Sequence, residues 1–248
     1  YFGNNMEKQL LTSVIEKYYL GGIHEKVKWT VKDKNVTILF TSATKDLAGS
    51  IEAPNFDIDD CTLGIYDTNK LLKLVNITNQ FIQLNVETKN GTSTKLSIAD
   101  NEYDLTYHLA DLRMMPMETM VLDETQIDFT YSFDIDSEFI ERYNKAKKAL
   151  GSDEVKIQAL FNDTGDKGIY FTLGGKTSHD DKISFQAAAS EMTVPSPEFQ
   201  FNANYLFEIF TENKGAKGTG YFDENGILKL EFIDESSIKA LYYLPPKN

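Results

Sequence analysis

The sequence predicts an α+β protein made of two related helix-and-sheet units. Three observations carry that prediction. Short runs of β-forming residues outnumber the amphipathic helical stretches, and they come in the same order in both halves. A Met-rich, Pro-broken and unperiodic stretch, Asp111–Gln126, interrupts the pattern midway and reads as a connector. The pattern also recurs in register: the Asn90-Gly91 and Asn225-Gly226 turns lie 135 positions apart. The same shift lays Tyr103, Leu105 and Tyr107 on Ile238, Ala240 and Tyr242, and lays Asp67 and Leu71 on Asn202 and Leu206. The expected domains are therefore 1–112 and 127–248, joined by a connector at 113–126.

Each element follows from its own residues. Met6 to Leu20 carries Leu10, Leu11, Val14, Ile15 and Tyr18 at helical spacing and stops at Gly21-Gly22. Strands are expected at Val36–Phe40, Leu47–Ile51 and Cys61–Ile65, with 23–35 left as a long segment between helix and strand. Asp67 is placed to cap a second helix, Thr68–Asn76, whose Leu71, Leu72 and Val75 form its apolar stripe. Strands at Phe81–Glu87, Lys95–Ile98 and Tyr103–Leu109 complete the first half, the first two joined by the Asn90-Gly91 turn.

The second half opens with alternation at Ile127, Phe129, Tyr131 and Phe133, then a helix Ser137–Leu150 ended by Gly151. Strands are expected at Val155–Phe161, Ile169–Leu173, Ile183–Ala189 and Glu198–Phe201. A short helix, Ala203–Thr211, and strands at Gly218–Phe222, Ile227–Phe232 and Ser237–Leu244 follow. In each half, two helices are expected to cover one face of an antiparallel sheet and leave the other open.

Composition narrows the function. At 248 residues, with 41% hydrophobic and 25% charged residues, the chain can bury sizeable cores. The single Cys61 permits no intrachain disulfide and suits a reducing compartment. No run approaches the ~20 apolar residues of a membrane helix, and the first residues show no signal-peptide pattern. The formal charge of -13 argues against indiscriminate nucleic-acid binding, which depends on neutralising phosphates. Basic residues nonetheless gather on the predicted helices, so a locally positive surface is compatible with the acidic total.

Familiar catalytic and metal patterns fail on spacing. His24, His108 and His179 lie far from one another and from Cys61, so no metal site is expected, and no cofactor. Gly174-Gly175-Lys176-Thr177 lacks the leading glycine of a phosphate loop, since Tyr170 stands there, and reads as a turn. Gly215, Gly218 and Gly220 lack the strand-to-helix context of a dinucleotide site. Asp57, Asp59 and Asp60 read as a solvated acidic edge. No nucleophile, base and orienting carboxylate can be assembled by spacing, although triads also converge from distant positions.

The order and spacing of three segments carry a resemblance. They are Leu63-Gly64-Ile65-Tyr66-Asp67 leading into Leu71-Leu72-Lys73-Leu74-Val75-Asn76, then Phe199-Gln200-Phe201-Asn202-Ala203-Asn204-Tyr205-Leu206, and Ile238–Pro246. On these the whole chain resembles the DNA polymerase sliding clamps of tailed bacteriophages, and more distantly the cellular proliferating-cell clamps. The resemblance implies duplicated DNA-clamp domains in a head-to-tail homotrimeric ring, with antiparallel sheets outside and helices lining the channel. It implies a processivity factor, not an enzyme, that encircles duplex DNA without sequence specificity, tethers a replicative DNA polymerase, and is loaded by an ATP-driven clamp loader. Such a protein works in the bacterial host-cell cytoplasm at viral replication sites.

The same resemblance implies the site residues. DNA-channel positions are Lys8 and Lys17, Lys70 and Lys73, Arg142, Lys145, Lys147 and Lys148, with Lys214 and Lys217 after the last helix. The partner-peptide pocket is implied at Met117, Met120, Val121, Leu241, Tyr243, Leu244 and Pro245, where methionines can repack around different peptides. The alternative for these residues, Leu241 and Tyr243 above all, is that they close the core of the second half. The alternative function is a phage structural ring component of tail or baseplate.

Overall fold

The computed structural model describes residues 5–115 and 122–248, which fall into two compact units. The first comprises Tyr1–Met120 with Glu235–Ala240, and the second Val121–Asp234 with Leu241–Asn248.

In the first unit the chain runs β1 (Met6–Glu7), α1 (Lys8–Tyr19), β2 (Val27–Lys32), β3 (Asn35–Thr41), β4 (Ala48–Ala53), β5 (Cys61–Ile65), α2 (Thr68–Asn76), β6 (Phe81–Lys89), β7 (Thr92–Ala99) and β8 (Asp104–His108). One set of strands is ordered β1-β6-β7-β8 and another β4-β3-β2-β5, with antiparallel pairs in both. The helices pair with each other, and Leu11, Val14, Ile15 and Tyr18 of α1 and Leu71 and Val75 of α2 are buried. The core centres on Trp29, which meets Tyr18 and Phe56 edge-on at 6.4 and 5.8 Å.

Two local expectations change here. Met6 and Glu7 do not begin the helix: they pair with Ile82 and Phe81 as a short strand, which buries Met6. The segment 23–35 contains a full strand, β2, whose Val27, Trp29 and Val31 are buried while Thr30 and Lys32 are exposed. That alternation is legible in the sequence and places the largest side chain of the unit at its centre.

The second unit contains β9 (Tyr131–Ile135), α3 (Ser137–Leu150), β10 (Glu154–Phe161), β11 (Lys167–Gly174), β12 (Lys182–Glu191), β13 (Phe199–Asn202), α4 (Ala203–Glu212), β14 (Lys217–Phe222), β15 (Leu228–Ile233) and β16 (Lys239–Leu244), the last divided between the units after Ala240. Its strands are ordered β13-β10-β11-β12-β9-β14-β15-β16. Phe139 and Tyr143 of α3, Phe171 of β11 and Phe210 of α4 interlock at centroid distances of 4.9–6.4 Å. Gly220 exists for close approach: a Cβ there would lie 2.1 Å from the Phe133 ring.

Ile127 and Phe129, expected within the opening strand, lie before it. Phe129 instead rests edge-on against Tyr221 at 6.2 Å. The two turns of the register also differ. Asn90 and Gly91 take φ of 52° and 76°, as a two-residue hairpin turn requires. Asn225-Gly226 sits in a longer loop, closed by Asp223 Oδ1 accepting from the N–H of Asn225 at 3.1 Å and of Ile227 at 2.8 Å.

The internal repeat extends to buried hydrogen bonds. Tyr18 of α1 shares a hydrogen bond of 3.0 Å with Thr68 Oγ1, at the start of α2. Tyr143 of α3 donates at 2.9 Å to the Ala203 carbonyl, at the start of α4. Each long helix thus fixes the start of its short partner through one tyrosine. Each short helix has an Asx cap: Asp67 accepts from Lys70 N–H at 2.9 Å, and Asn202 from the Asn204 and Tyr205 N–H groups at 3.0 and 3.1 Å. Thr78 and Asn213, again 135 apart, are both buried and close the helix ends by bonding Val75 O and Ile209 O.

Candidate nucleic-acid helices and partner-binding strand

The basic residues on the four helices are not equivalent. On α2, Lys70 and Lys73 are exposed one turn apart, and neither forms an ion pair among the described residues. The apolar stripe through Leu71 and Val75 turns them outward, and Asp67 holds the first turn.

On α1 the two expected channel residues are not exposed, Lys8 being half-buried and Lys17 buried. Lys8 directs its ammonium onto the end of α2, donating to Thr78 O at 2.6 Å and Asn76 O at 3.5 Å. It thereby meets the Asn76 carbonyl, which the helix leaves without an intrahelical partner, and the Thr78 carbonyl just past the helix end, where a cation also suits the dipole. Lys17 is only 5% exposed because it lies on the packed side with Val14 and Tyr18.

The second unit puts its positive charge on α3. Arg142, Lys145 and Lys148 are exposed and Lys147 is half-buried. Lys145 pairs with Glu141 one turn earlier at 3.0 Å, and its side chain remains 75% exposed, so water screens the pair. Lys148 lies over the Phe207 ring at 5.7 Å. Arg142 turns toward β12 and donates to Gln186 O at 2.9 Å. In contrast, α4 carries no Lys or Arg, and its half-buried Glu208 has a carboxyl pushed up by burial. Lys214 and Lys217, which follow α4, are both exposed.

The strand β16 sorts the expected partner residues by face. Ala240, Tyr242 and Leu244 are buried, whereas Leu241 and Tyr243 are half-buried on the opposite face. Leu244, at 1% exposure, lies in the core, the alternative already open for it from the sequence. Pro245 is exposed, and Met117, Met120 and Val121 lie outside the described residues.

Tyr243 leads to residues that no short-range signal could reveal. Its hydroxyl donates to the Glu124 carboxylate, which also receives the Lys229 ammonium at 2.9 and 3.0 Å. Lys229, 12% exposed, lies 5.2 Å from the Phe129 ring and 5.1 Å from the Tyr221 ring. Burial pushes the Glu124 carboxyl up, but the bonds from Tyr243 and Lys229 outweigh it and hold the group below its ordinary value. Burial, then the adjoining carboxylate, push the Tyr243 phenol up. Glu124, shortly before β9, is thus clasped to the half-buried face of β15 and β16. The partners are separated by 105 and 119 positions, which explains why sequence pattern alone does not join them.

The fold is that of the PCNA-type sliding clamps, with two clamp domains in one chain. Two solved structures define that likeness. A structure of A. fulgidus PCNA bound by the C-terminal region of FEN-1 matches with a TM-score of 0.79 and 17% identity, over 98% of this chain and 97% of that one. Proliferating cellular nuclear antigen from Entamoeba histolytica matches with a TM-score of 0.77 and 17% identity, over the same shares. No family model matches the chain, and no curated protein matches it by sequence.

Proposed function

We propose that the protein is a sliding-clamp subunit that encircles duplex DNA and tethers a replicative polymerase, in the manner of the tailed-phage clamps. The observation that carries this reading is one exposed basic helix in each unit of a PCNA-like fold, α2 in the first and α3 in the second, on a chain of net charge -13. A closed ring holds DNA by topology, so its contacts need only be weak and sequence-blind. Exposed Lys ammonium groups on long stems provide contacts of that kind to phosphate, and an acidic remainder discourages DNA elsewhere. The protein in this reading performs no chemistry of its own and acts in the host-cell cytoplasm, where an ATP-driven loader places it.

Two strand edges support assembly from identical copies. Among the described residues β8 pairs only with β7, and Lys182–Ala188 of β12 pairs only with β11. One edge in each unit suits a head-to-tail contact, which closes into a homotrimer when the rotation per copy is one third of a turn. The partner-peptide surface is proposed at Leu241, Tyr243 and Pro245, the positions the family resemblance implies, and the A. fulgidus PCNA of similar fold is bound by a C-terminal region of FEN-1.

The deciding experiment measures the product length of the cognate polymerase on primed circular DNA, with and without this protein and its loader. Longer products only when loading is possible are the expected outcome. Unchanged product length with an active loader and polymerase would sink the proposal.

A further inference from the structure

The start of α2 is held from four directions. The Asp67 carboxylate takes the Lys70 N–H at 2.9 Å, and Thr68 Oγ1 donates to Glu25 O at 2.8 Å. Tyr18 meets the same Thr68 hydroxyl at 3.0 Å. The fourth hold comes from β8: the Tyr107 hydroxyl accepts from Asp67 N–H at 3.0 Å and donates to Asp67 O at 3.1 Å. One phenol therefore satisfies both backbone groups of the cap residue, and Tyr107 is only 5% exposed. Three of these holds come from within the helix or from α1 and the loop after it. Only Tyr107 belongs to a strand with an open edge.

Resting on the clamp reading above, we propose that Tyr107 is a positioning residue that couples occupancy of the β8 edge to the placement of Lys70 and Lys73. An edge strand of five residues with one neighbour has few bonds to limit its local opening. Pairing by a strand from a second copy orders β8, and with it the phenol that fixes the Asp67 cap. The helix so fixed presents its two lysines in one arrangement to phosphate. By linkage, duplex DNA held by that helix strengthens subunit association by the same factor. Tyr242, the register equivalent of Tyr107, accepts from Asn213 Nδ2 at 3.0 Å, at the far end of α4 rather than at its cap.

The test measures subunit association of the full chain by mass photometry, alone and with saturating short blunt-ended duplex DNA. Wild-type protein should associate about fivefold more tightly with DNA present, within the usual range of coupling between sites. Tyr107→Phe should associate normally without DNA and lose the DNA effect. Tyr242→Phe removes a buried hydroxyl of equal kind and should keep it. Retained coupling in Tyr107→Phe, or equal loss in both variants, overturns the inference. A wild-type protein that assembles and binds duplex with no mutual effect also overturns it while leaving the clamp reading intact. One that neither assembles nor binds duplex overturns both. A second measurement needs no variant: amide exchange of 66–70 in wild-type protein should slow severalfold on going from dilute, dissociated subunits to the assembled state. Unchanged exchange there overturns the coupling.

Discussion

The helix pairs α1/α2 and α3/α4 share one set of joints and differ in charge. In both, a buried tyrosine on the long helix fixes the start of the short one, an Asx residue caps it, and a buried polar residue closes it. The basic residues have moved between the pairs: α2 is exposed and basic while α4 has no Lys or Arg, and α3 is basic while α1 has both its lysines withdrawn. Each unit thus exposes basic residues on one of its two helices, the short one in the first unit and the long one in the second.

The sharpest way to test the equivalence of the joints is to remove the same leucine from each short helix. Leu71 and Leu206 are register equivalents and both fully buried. Leu71→Ala and Leu206→Ala should each cost about 2–5 kcal/mol, the range for emptying a packed leucine site. Chemical denaturation of both variants checks the comparison. A large loss in one and almost none in the other would show that the units use their short helices differently.

The next effect belongs to the first unit alone. His24 is buried, its Nδ1 lies 2.7 Å from Tyr18 O, and its ring rests 4.7 Å from Phe40. Burial lowers its pKa from the ordinary 6.5 to about 4, against smaller opposing effects of the Tyr18 carbonyl and the Asp46 charge. The unfolded chain therefore takes up a proton first as pH falls. The stability associated with neutral His24 is complete above 6.5 and drains away as pH drops through about 4. The loss amounts to a few kcal/mol, on the order of 1.4 kcal/mol per pKa unit. Thermal melts from pH 7 to 4 should show this slope in wild-type protein and a shallower one in His24→Gln. Equal slopes would mean that the histidine is not the titrating group.

Charge redistribution is tested by duplex binding as a function of salt. Lys70→Glu with Lys73→Glu, and separately Lys145→Glu with Lys148→Glu, should lower the salt slope by about 2 and weaken binding at least tenfold at low salt. Lys8→Met should leave the slope unchanged and instead cost about 0.3–1 kcal/mol of stability, because its ammonium serves the end of α2. A Lys8→Met variant that loses DNA affinity while keeping its stability would return α1 to the DNA surface.

The same contrast separates what the sequence discloses from what it does not. Periodicity discloses the helices and most strands because each side chain's neighbours lie a few positions away; the shift of 135 joins Asp67 to Asn202 and Leu71 to Leu206 for the same reason. Orientation around a helix is less legible. Lys17 has the composition of a surface position, yet three-dimensional packing turns it inward beside Tyr18. Lys8 sits where a free charge is expected, but its partners are carbonyls about 70 positions later. The clasp of Glu124, Lys229 and Tyr243 is invisible for the same reason, since only the folded strands bring it together. Trp29 is the opposite case, because the alternation around it is local and legible, although the sequence expectation leaves 23–35 without a strand.

The smallest expected effect isolates the one helix that breaks the pattern of caps. Asp67, Asp136 and Asn202 each cap a helix by accepting from its first-turn N–H groups, at distances from 2.7 to 3.1 Å. Glu7 at the start of α1 makes no side-chain cap. There the chain enters the helix directly from β1, and the Lys8 N–H is taken at 2.8 Å by the Gln80 carbonyl instead. Replacing Asp67, Asp136 or Asn202 by Ala should therefore cost about 1 kcal/mol each, whereas Glu7→Ala should stay within about 0.5 kcal/mol of wild type. Urea midpoints of the four variants measure the contrast. A Glu7→Ala variant as destabilised as the other three would show that α1 depends on a side-chain cap after all, and would make the helix starts of the two units alike.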